Sequence, residues 1–388
     1  MQKKFILPTV GLIILYVMSN YYIGLRLWQS IGTLAASGMV SYYWIVFSFV
    51  AGSYFLGRLG AIYFPSDYSD RAIWYGSHWL GLAFYLLLFW LLYDAVILAG
   101  RFGGVFLQEG NPYSPGAGAA ILAAAIAITI YGVRNAGIPR VRQYDITINK
   151  QAGSCKELHV VMISDLHLGL LVGSKRLMQG IHIINELDPD IVLMPGDILD
   201  ENVGAFVENG MPEMLRGIQS RLGVFGVLGS HEYIYGHSEK ALTYLKQAGI
   251  TILRDQYIKL PNDIYLVGRD DSFKKDLIGT PRQTLETILR GCSRDLPIIL
   301  MDHQPDNLEE AQLQGIDLQL SGHTHHGQMF PMGLLTQAYF EIDWGYLRKK
   351  QYQIIVSCGY GTWVAPLRVG TISEIVDITI KFAPGDSS

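Results

Sequence analysis

The sequence is poor in charge: Asp, Glu, Lys and Arg make up 16% of its 388 residues, against roughly 25% in an ordinary soluble domain. The deficit is concentrated at one end, where residues 1–133 hold six Lys/Arg and four Asp/Glu, leaving 24 and 30 for the rest. Cysteine is also scarce. Cys155, Cys292 and Cys358 are far apart in sequence, which excludes a disulfide scaffold and suits small buried side chains in a reducing compartment. The 42 glycines show no three-residue period and the chain is 50% hydrophobic, so a collagen and a disordered chain are excluded. Beyond residue 133 the chain is net acidic. No nucleic-acid partner is therefore expected.

What the N-terminal third does have is length without charge. Phe5 to Leu25, Leu27 to Gly57, Ala72 to Tyr93 and Gly110 to Val133 contain no Asp, Glu, Lys or Arg. About 20 apolar residues in a helix cross ~30 Å of hydrocarbon and hide their own backbone polar groups. Residues 1–133 are thus expected to be a transmembrane region of four helices, at about 5–25, 37–57, 76–98 and 114–133. The even number puts both ends of the region on one side. Lys3, Lys4, Arg58, Arg71, Arg134, Arg140 and Arg142 fall on that side, and only Arg26 and Arg101 on the other. The positive-inside rule then predicts an integral inner-membrane protein with a cytoplasmic C-terminal domain. Asp94, near the end of the third run, reads as an interfacial carboxylate.

Residues 134–155 read as a linker and lead-in, and the texture then changes to short β-branched runs alternating with amphipathic stretches. Leu158 to Ser164, Asp190 to Pro195, Val224 to Leu228, Pro297 to Met301 and Leu318 to Ser321 read as buried strands. Ser174 to Leu187, Met211 to Leu222, Ser238 to Gln247, Pro281 to Leu289 and Asp306 to Gln314 have helical spacing. The alternation predicts an α/β fold. Tyr352 to Ser357 and Glu374 to Ile380 add strands with few helices between, so the sheet arrangement is expected to be mixed.

Five polar clusters share one structural address, the first loop after a hydrophobic strand. They are Asp165-Leu166-His167, Gly196-Asp197, Gly229-Ser230-His231-Glu232, Asp302-His303 and Gly322-His323-Thr324-His325. Carboxyl ends of strands line the ligand crevice in α/β sheets, so the five can converge. Carboxylate and imidazole together suit Mn, Fe or Zn. The number of ligands exceeds one open tetrahedral site, and two ions sharing a carboxylate account for it; such pairs are a hydrolytic device for phosphate esters.

Asp165-x-His167, Gly196-Asp197-x-x-Asp200, Gly229-Ser230-His231-Glu232, His303 and Gly322-His323-Thr324-His325 resemble the ordered signature of the calcineurin-like metallophosphoesterases. The resemblance covers residues 156–382. Gly359 to Trp363 with Pro366-Leu367-Arg368 is similar to the bacterial membrane-associated branch, whose members often place transmembrane helices first. The resemblance implies a β-sandwich flanked by helices, the fold class α/β, with a dinuclear site at the loops. It assigns Asp165, His167 and His325 to a first metal, His303 and His323 to a second, and Asp197 to a bridge between them. It further implies a hydroxide held between the ions that attacks phosphorus in line. His231 matches the proton donor to the leaving oxygen, and Asp200 the residue that orients it and keeps it cationic.

Ser230 departs from the pattern, because the family normally has Asn there as a ligand of the second metal. A serine hydroxyl is shorter and a poorer donor, so the second metal is expected to bind more weakly. His326 reads either as a phosphate contact or as an exposed histidine. Asp270 and Asp271 read as a turn or as partners of Arg269, and Arg348-Lys349-Lys350 as a solvated loop, with anionic lipid as its alternative contact. The expected function is a membrane-anchored, dinuclear-metal phosphohydrolase of the phosphodiesterase type, with a lipid-linked phosphate or pyrophosphate as an attractive substrate. The alternative is a catalytically weak metal-binding membrane scaffold or sensor.

Overall fold

In a computed structural model the described residues are 3–34, 36, 38–103, 112–200, 203–234, 236 and 238–383. Residue 37, the expected start of the second span, and Gly110 and Asn111 of the fourth apolar run lie outside them. The chain divides into two compact units, residues 1–134 with 364–367, and residues 135–363 with 368–388.

Among the described residues the first unit is built on four α-helices: α1 (Lys3–Ser30), α2 (Val40–Tyr63), α3 (Asp67–Phe102) and α4 (Pro115–Ala136). Each is long and apolar enough to cross a membrane. Their surfaces are apolar all round, as a lipid-facing helix requires, and side chains such as Leu12, Phe49, Leu92 and Ile130 remain exposed. α3 opens on a capping box between Ser66 and Ser69, which satisfies two of its free N–H groups. Asp94 lies inside α3 and pairs with Arg26 at 2.5 Å, while the Tyr22 hydroxyl donates to the same carboxylate oxygen at 2.7 Å. Arg26 itself lies within α1 and not in a connecting loop. The charged pair thus joins two apolar helices, and pairing is the usual way ionised groups are tolerated within such segments.

Among the described residues the second unit holds twelve strands: β1 (Pro139–Ile148), β2 (Glu157–Met162), β3 (Ile191–Pro195), β4 (Val224–Val227), β5 (Ile250–Ile252), β6 (Gln256–Lys259), β7 (Tyr265–Gly268), β8 (Ile298–Met301), β9 (Leu318–Ser321), β10 (Gly345–Lys349), β11 (Tyr352–Val356) and β12 (Ser373–Phe382). They form two six-stranded sheets, in the orders β1-β12-β2-β3-β4-β5 and β10-β11-β9-β8-β7-β6. Both sheets are mixed, as expected: β2, β3, β4 and β5 pair parallel, as do β11, β9, β8 and β7, with antiparallel pairs at β12–β2, β10–β11 and β6–β7. β1 lies in the stretch read as lead-in and pairs parallel with β12 along its whole length. Its first half is mostly exposed, and that polarity is why the run does not read as a buried strand.

Helices cover the outer faces of the sheets. They are α5 (Ser174–Leu187), α6 (Val203–Glu208), α7 (Met211–Leu215), α8 (Ser230–Ile234), α9 (Ser238–Gln247), α11 (Leu285–Ile288) and α12 (Leu308–Leu313), whereas α10 (Phe273–Ile278) and α13 (Gly333–Tyr339) bury none of their residues. The stretch expected to be helical to Leu222 stops at Leu215, where Gly217 turns the chain by bonding back to Met214. Three apolar clusters result. Leu158, Leu193, Leu266, Leu320 and Ile378 meet between the sheets; Leu177, Ile181, Met211 and Leu245 seal helices onto the first sheet; Leu285, Leu308 and Ile354 do so on the second. β3, β8 and β9 are buried on both faces, which is why they read as continuous apolar runs. The result is a β-sandwich flanked by helices.

Candidate metal centre

The ends of β2, β3 and β4 in the first sheet and of β8 and β9 in the second carry the five polar clusters, and the loops are sewn together by backbone bonds. Asp165 N–H donates to Gly196 O at 3.1 Å, His167 N–H to Asp197 O at 3.0 Å, and Gly322 N–H to His303 O at 2.9 Å. Asp165, His167, Asp197, His323 and His325 all have positive φ, between 49° and 72°. Non-glycine residues rarely adopt that region, and clusters of them mark functional sites where surrounding structure holds the strain. Gly196, at φ +92°, packs its bare Cα against the His303 ring.

Ligand atoms of Asp165, His167 and His325 lie within 4.8 Å of one another, as do those of Asp197, His303 and His323, and those of His167, Asp200 and His231. His325 Nε2 is 3.5 Å from Asp165 Oδ1 and 3.0 Å from His167 Nε2. Asp197 stands between the groups: its Oδ2 is 3.1 Å from His303 Nε2 and 4.0 Å from His167 Nε2, and its Oδ1 accepts the His231 N–H at 2.8 Å. Ser230 Oγ lies 3.4 Å from Asp197 Oδ2. His231 Nδ1 is 3.2 Å from Asp200 Oδ1. All nine residues singled out in the sequence therefore occupy one end of the sandwich.

The donor set fits divalent cations. His303 Nδ1 is held by the Pro195 carbonyl at 2.8 Å, the backbone contact that fixes a ligating histidine's tautomer. Its buried Nε2 faces Asp197 Oδ2 at 3.1 Å and makes no well-aligned hydrogen bond among the described residues. Electrostatics agree. Burial alone would raise Asp197, but the charges of His303 and His231 hold it well below the ordinary carboxylate range. Burial opposes a proton on His303, yet Asp197 outweighs it and keeps that ring well above its ordinary value. Burial drives His167 and His323 down to about 3 and Asp165 up to about 6. His231 reaches about 9: burial opposes its charge, and Asp197 and Asp200 more than compensate. The cluster gathers positive charge around one carboxylate, the role a metal cation fills.

Three residues named in the sequence only as parts of motifs support the site. Glu232, buried, accepts the N–H groups of Leu199 and Gly229 at 2.8 Å each, clamping two ligand loops together; burial pushes it up to about 7. Arg368, fully buried, donates to the carbonyls of Gly359 and Gly361 and to His325 Nδ1 at 3.0 Å. His325 lies 43 positions from it in sequence, so this contact leaves no local spacing to read. Trp363 lies with its ring 6.2 Å from that of His231.

Other expectations resolve differently. Arg269 pairs with Asp302 and Glu310; Asp270 pairs instead with Arg254 and Lys274, and Asp271 accepts from Gln304. Electrostatic matching across strands decided these partners, which adjacency in sequence does not reveal. His326 is held by Asp343 at 2.8 Å through Nδ1. The three cysteines are free, with Cys358 buried and the other two partly so.

Comparison with known proteins converges on the same chemistry. The calcineurin-like phosphoesterase family matches residues 158–327. A zebrafish (Danio rerio) transmembrane protein with metallophosphoesterase domain is 33% identical over 66% of this chain and 61% of the relative, so the chain spans about three fifths of its length. An uncharacterized metallophosphoesterase of Aquifex aeolicus is 33% identical over 62% of this chain and 92% of the relative. One from Campylobacter jejuni is 28% identical over 97% of this chain and 99% of its own. With its site, its two-sheet architecture and these relatives, the chain belongs to the calcineurin-like metallophosphoesterases.

Proposed function

We propose that the chain is a membrane-anchored phosphodiesterase acting on a lipid-linked phosphate or pyrophosphate, its anchor in residues 1–133, a lead-in at 134–155 and its catalytic part in 156–382. Asp165, His167 and His325 would hold one divalent ion, His303, His323 and Ser230 a second, with Asp197 shared. The observation that carries this reading is the position of Asp197, one carboxylate within 3.1 Å of His303 and 4.0 Å of His167. Mn, Fe or Zn suits the mixed oxygen and nitrogen donors. When bound, such a pair of ions acidifies water and neutralises charge developing on phosphoryl oxygens.

The chain's own residues supply the rest. His231, cationic at neutral pH, gives its ring proton to the leaving oxygen, and Asp200 fixes the other nitrogen so that the donating N–H points one way. Residues 1–133 keep the site at a membrane surface. The basic residues flanking the spans favour an inner-membrane protein with the catalytic part in the cytoplasm.

The test is turnover of an aryl phosphodiester, phospholipid head groups and lipid-linked nucleotides by detergent-solubilised protein with Mn. Loss of turnover in Asp197→Asn and His323→Ala supports the enzyme. Turnover of soluble diesters alone removes the lipid-linked substrate. The short Ser230 hydroxyl favours a second reading, a weak metal-binding scaffold or sensor. That reading requires metal binding without turnover of any ester.

A further inference from the structure

Between the metal centre and β10 the fold leaves a run of apolar side chains in solvent. α13 buries none of its residues. Leu334, Leu335 and Tyr339 are 59%, 62% and 80% exposed, and Phe330 just before the helix is 56% exposed. Trp363 is 45% exposed and is tied to the same side by two bonds with Gln328. Core packing does not account for a helix with no buried face, and contiguous exposed apolar patches mark interaction surfaces.

The patch borders the metal centre. It begins five residues after His325 and ends at Phe340, whose ring lies 6.2 Å from that of His323; Trp363 stands beside His231. A cationic feature adjoins it. Lys349 pairs with Glu341 at 2.9 Å, fastening the β10–β11 hairpin to the end of the apolar run, and the hairpin tip exposes Arg348 and Lys350. Apolar side chains flanked by exposed cations are the composition of a segment lying in the headgroup region of an anionic bilayer.

The connection to the apolar helices is short. Only Gly137 and Ile138 separate the end of α4 from the start of β1, a span of roughly 7 Å at full extension. A second copy of the chain fits less well, since a two-fold contact sets identical patches together and would bring the same cations into one interface.

We infer that residues 330–340, with Trp363, dock on the bilayer that the chain itself spans, Arg348 and Lys350 meeting anionic headgroups, so that the metal centre opens toward phosphoesters held in the membrane surface. This rests on the hydrolase reading for its consequence but not for the docking itself.

Full-length protein carrying Leu335→Cys, labelled with an environment-sensitive fluorophore and reconstituted in vesicles with bromine-substituted acyl chains, tests the docking. Expected is quenching beyond that of the identically labelled parent, stronger with phosphatidylglycerol present and weakened by Arg348→Gln with Lys350→Gln. Quenching no greater than the parent's overturns the inference, and so does cross-linking between copies through the introduced thiol without quenching. The consequence is read by Leu334→Asp with Leu335→Asp. Hydrolysis of a vesicle-borne phosphodiester should fall about tenfold or more, given the free energy of burying two leucines, while hydrolysis of a soluble aryl diester stays unchanged. An equal effect on both substrates overturns the inference. Parent protein inactive on either substrate refutes the hydrolase reading instead, and the quenching then decides the docking alone.

Discussion

Asp200 Oδ1 lies 3.2 Å from His231 Nδ1, and the Asp197 carboxylate accepts the backbone N–H of the same histidine at 2.8 Å. The charges of Asp197 and Asp200 lift the ring to about 9 against its own desolvation. An acid catalyst works in its protonated form, so the raised value extends the active range upward. Asp200→Asn keeps the shape and removes one anion, so the basic limb of the kcat profile should move to lower pH. A poor leaving group needs the proton most. Turnover of an alkyl ester should fall about 100-fold while a nitrophenyl ester is less affected. An unmoved limb in paired pH profiles would show that Asp200 has no hold on this proton.

Gly229 precedes Ser230, and a Cβ built there falls onto the Asp197 carboxylate and its backbone nitrogen. Neither can retreat, because Asp197 is buried and bonded to the His231 N–H. Gly229→Ala should displace the carboxylate shared by both metal groups. Metal affinity should drop by about 10-fold or more, with a stability cost of about 1–3 kcal/mol from overpacking. Metal content after dialysis, alongside a thermal melt, checks both; full metal content in the variant would mean that Asp197 is not a shared ligand.

Much of this was legible in the sequence because the physics that hides a strand also marks its end. Ile191 to Pro195 is buried on both faces, so an unbroken apolar run announces β3, and Gly196-Asp197 stands out as the first polar pair after it. The same holds for β9 and His323. Four transmembrane helices were equally plain, although α3 extends from Asp67 to Phe102, beyond the expected 76–98 at both ends. What escaped was tertiary: Arg368 reaching His325, Glu232 clamping Leu199 to Gly229, and the pairing of exposed β1 with β12. Each depends on partners tens to hundreds of positions apart, and no local period records them.

Ser230 offers a hydroxyl 3.4 Å from Asp197 Oδ2, where the family resemblance leads one to expect the longer amide of Asn. An amide oxygen is a stronger neutral donor and reaches farther toward His303. Ser230→Asn should tighten the weaker of two metal-binding steps, with little change in the stronger. Calorimetric titration of both proteins with Mn separates the steps. Identical isotherms would exclude Ser230 from the ligand set.

Asp271 supplies a test of stability that does not depend on catalysis. It is buried, accepts the Phe273 N–H at 2.8 Å, and receives the Gln304 side-chain amide at both oxygens, at 3.1 and 3.2 Å. Burial outweighs these donors and pushes its carboxyl up to about 7. A carboxyl whose folded value is raised binds its proton more tightly in the native state. Its contribution to stability is therefore complete below the unfolded value near 4 and is lost as pH rises through about 7. Asp271→Asn mimics the neutral acid in shape and cannot ionise. In chelator, the melting temperature of the parent should fall relative to that of the variant between pH 5 and pH 8. The free-energy difference is on the order of a few kcal/mol, and its sign should favour the variant at the alkaline end. Parallel melting curves across that range would mean that Asp271 is ionised throughout, its charge balanced by Gln304 and the nearby His303.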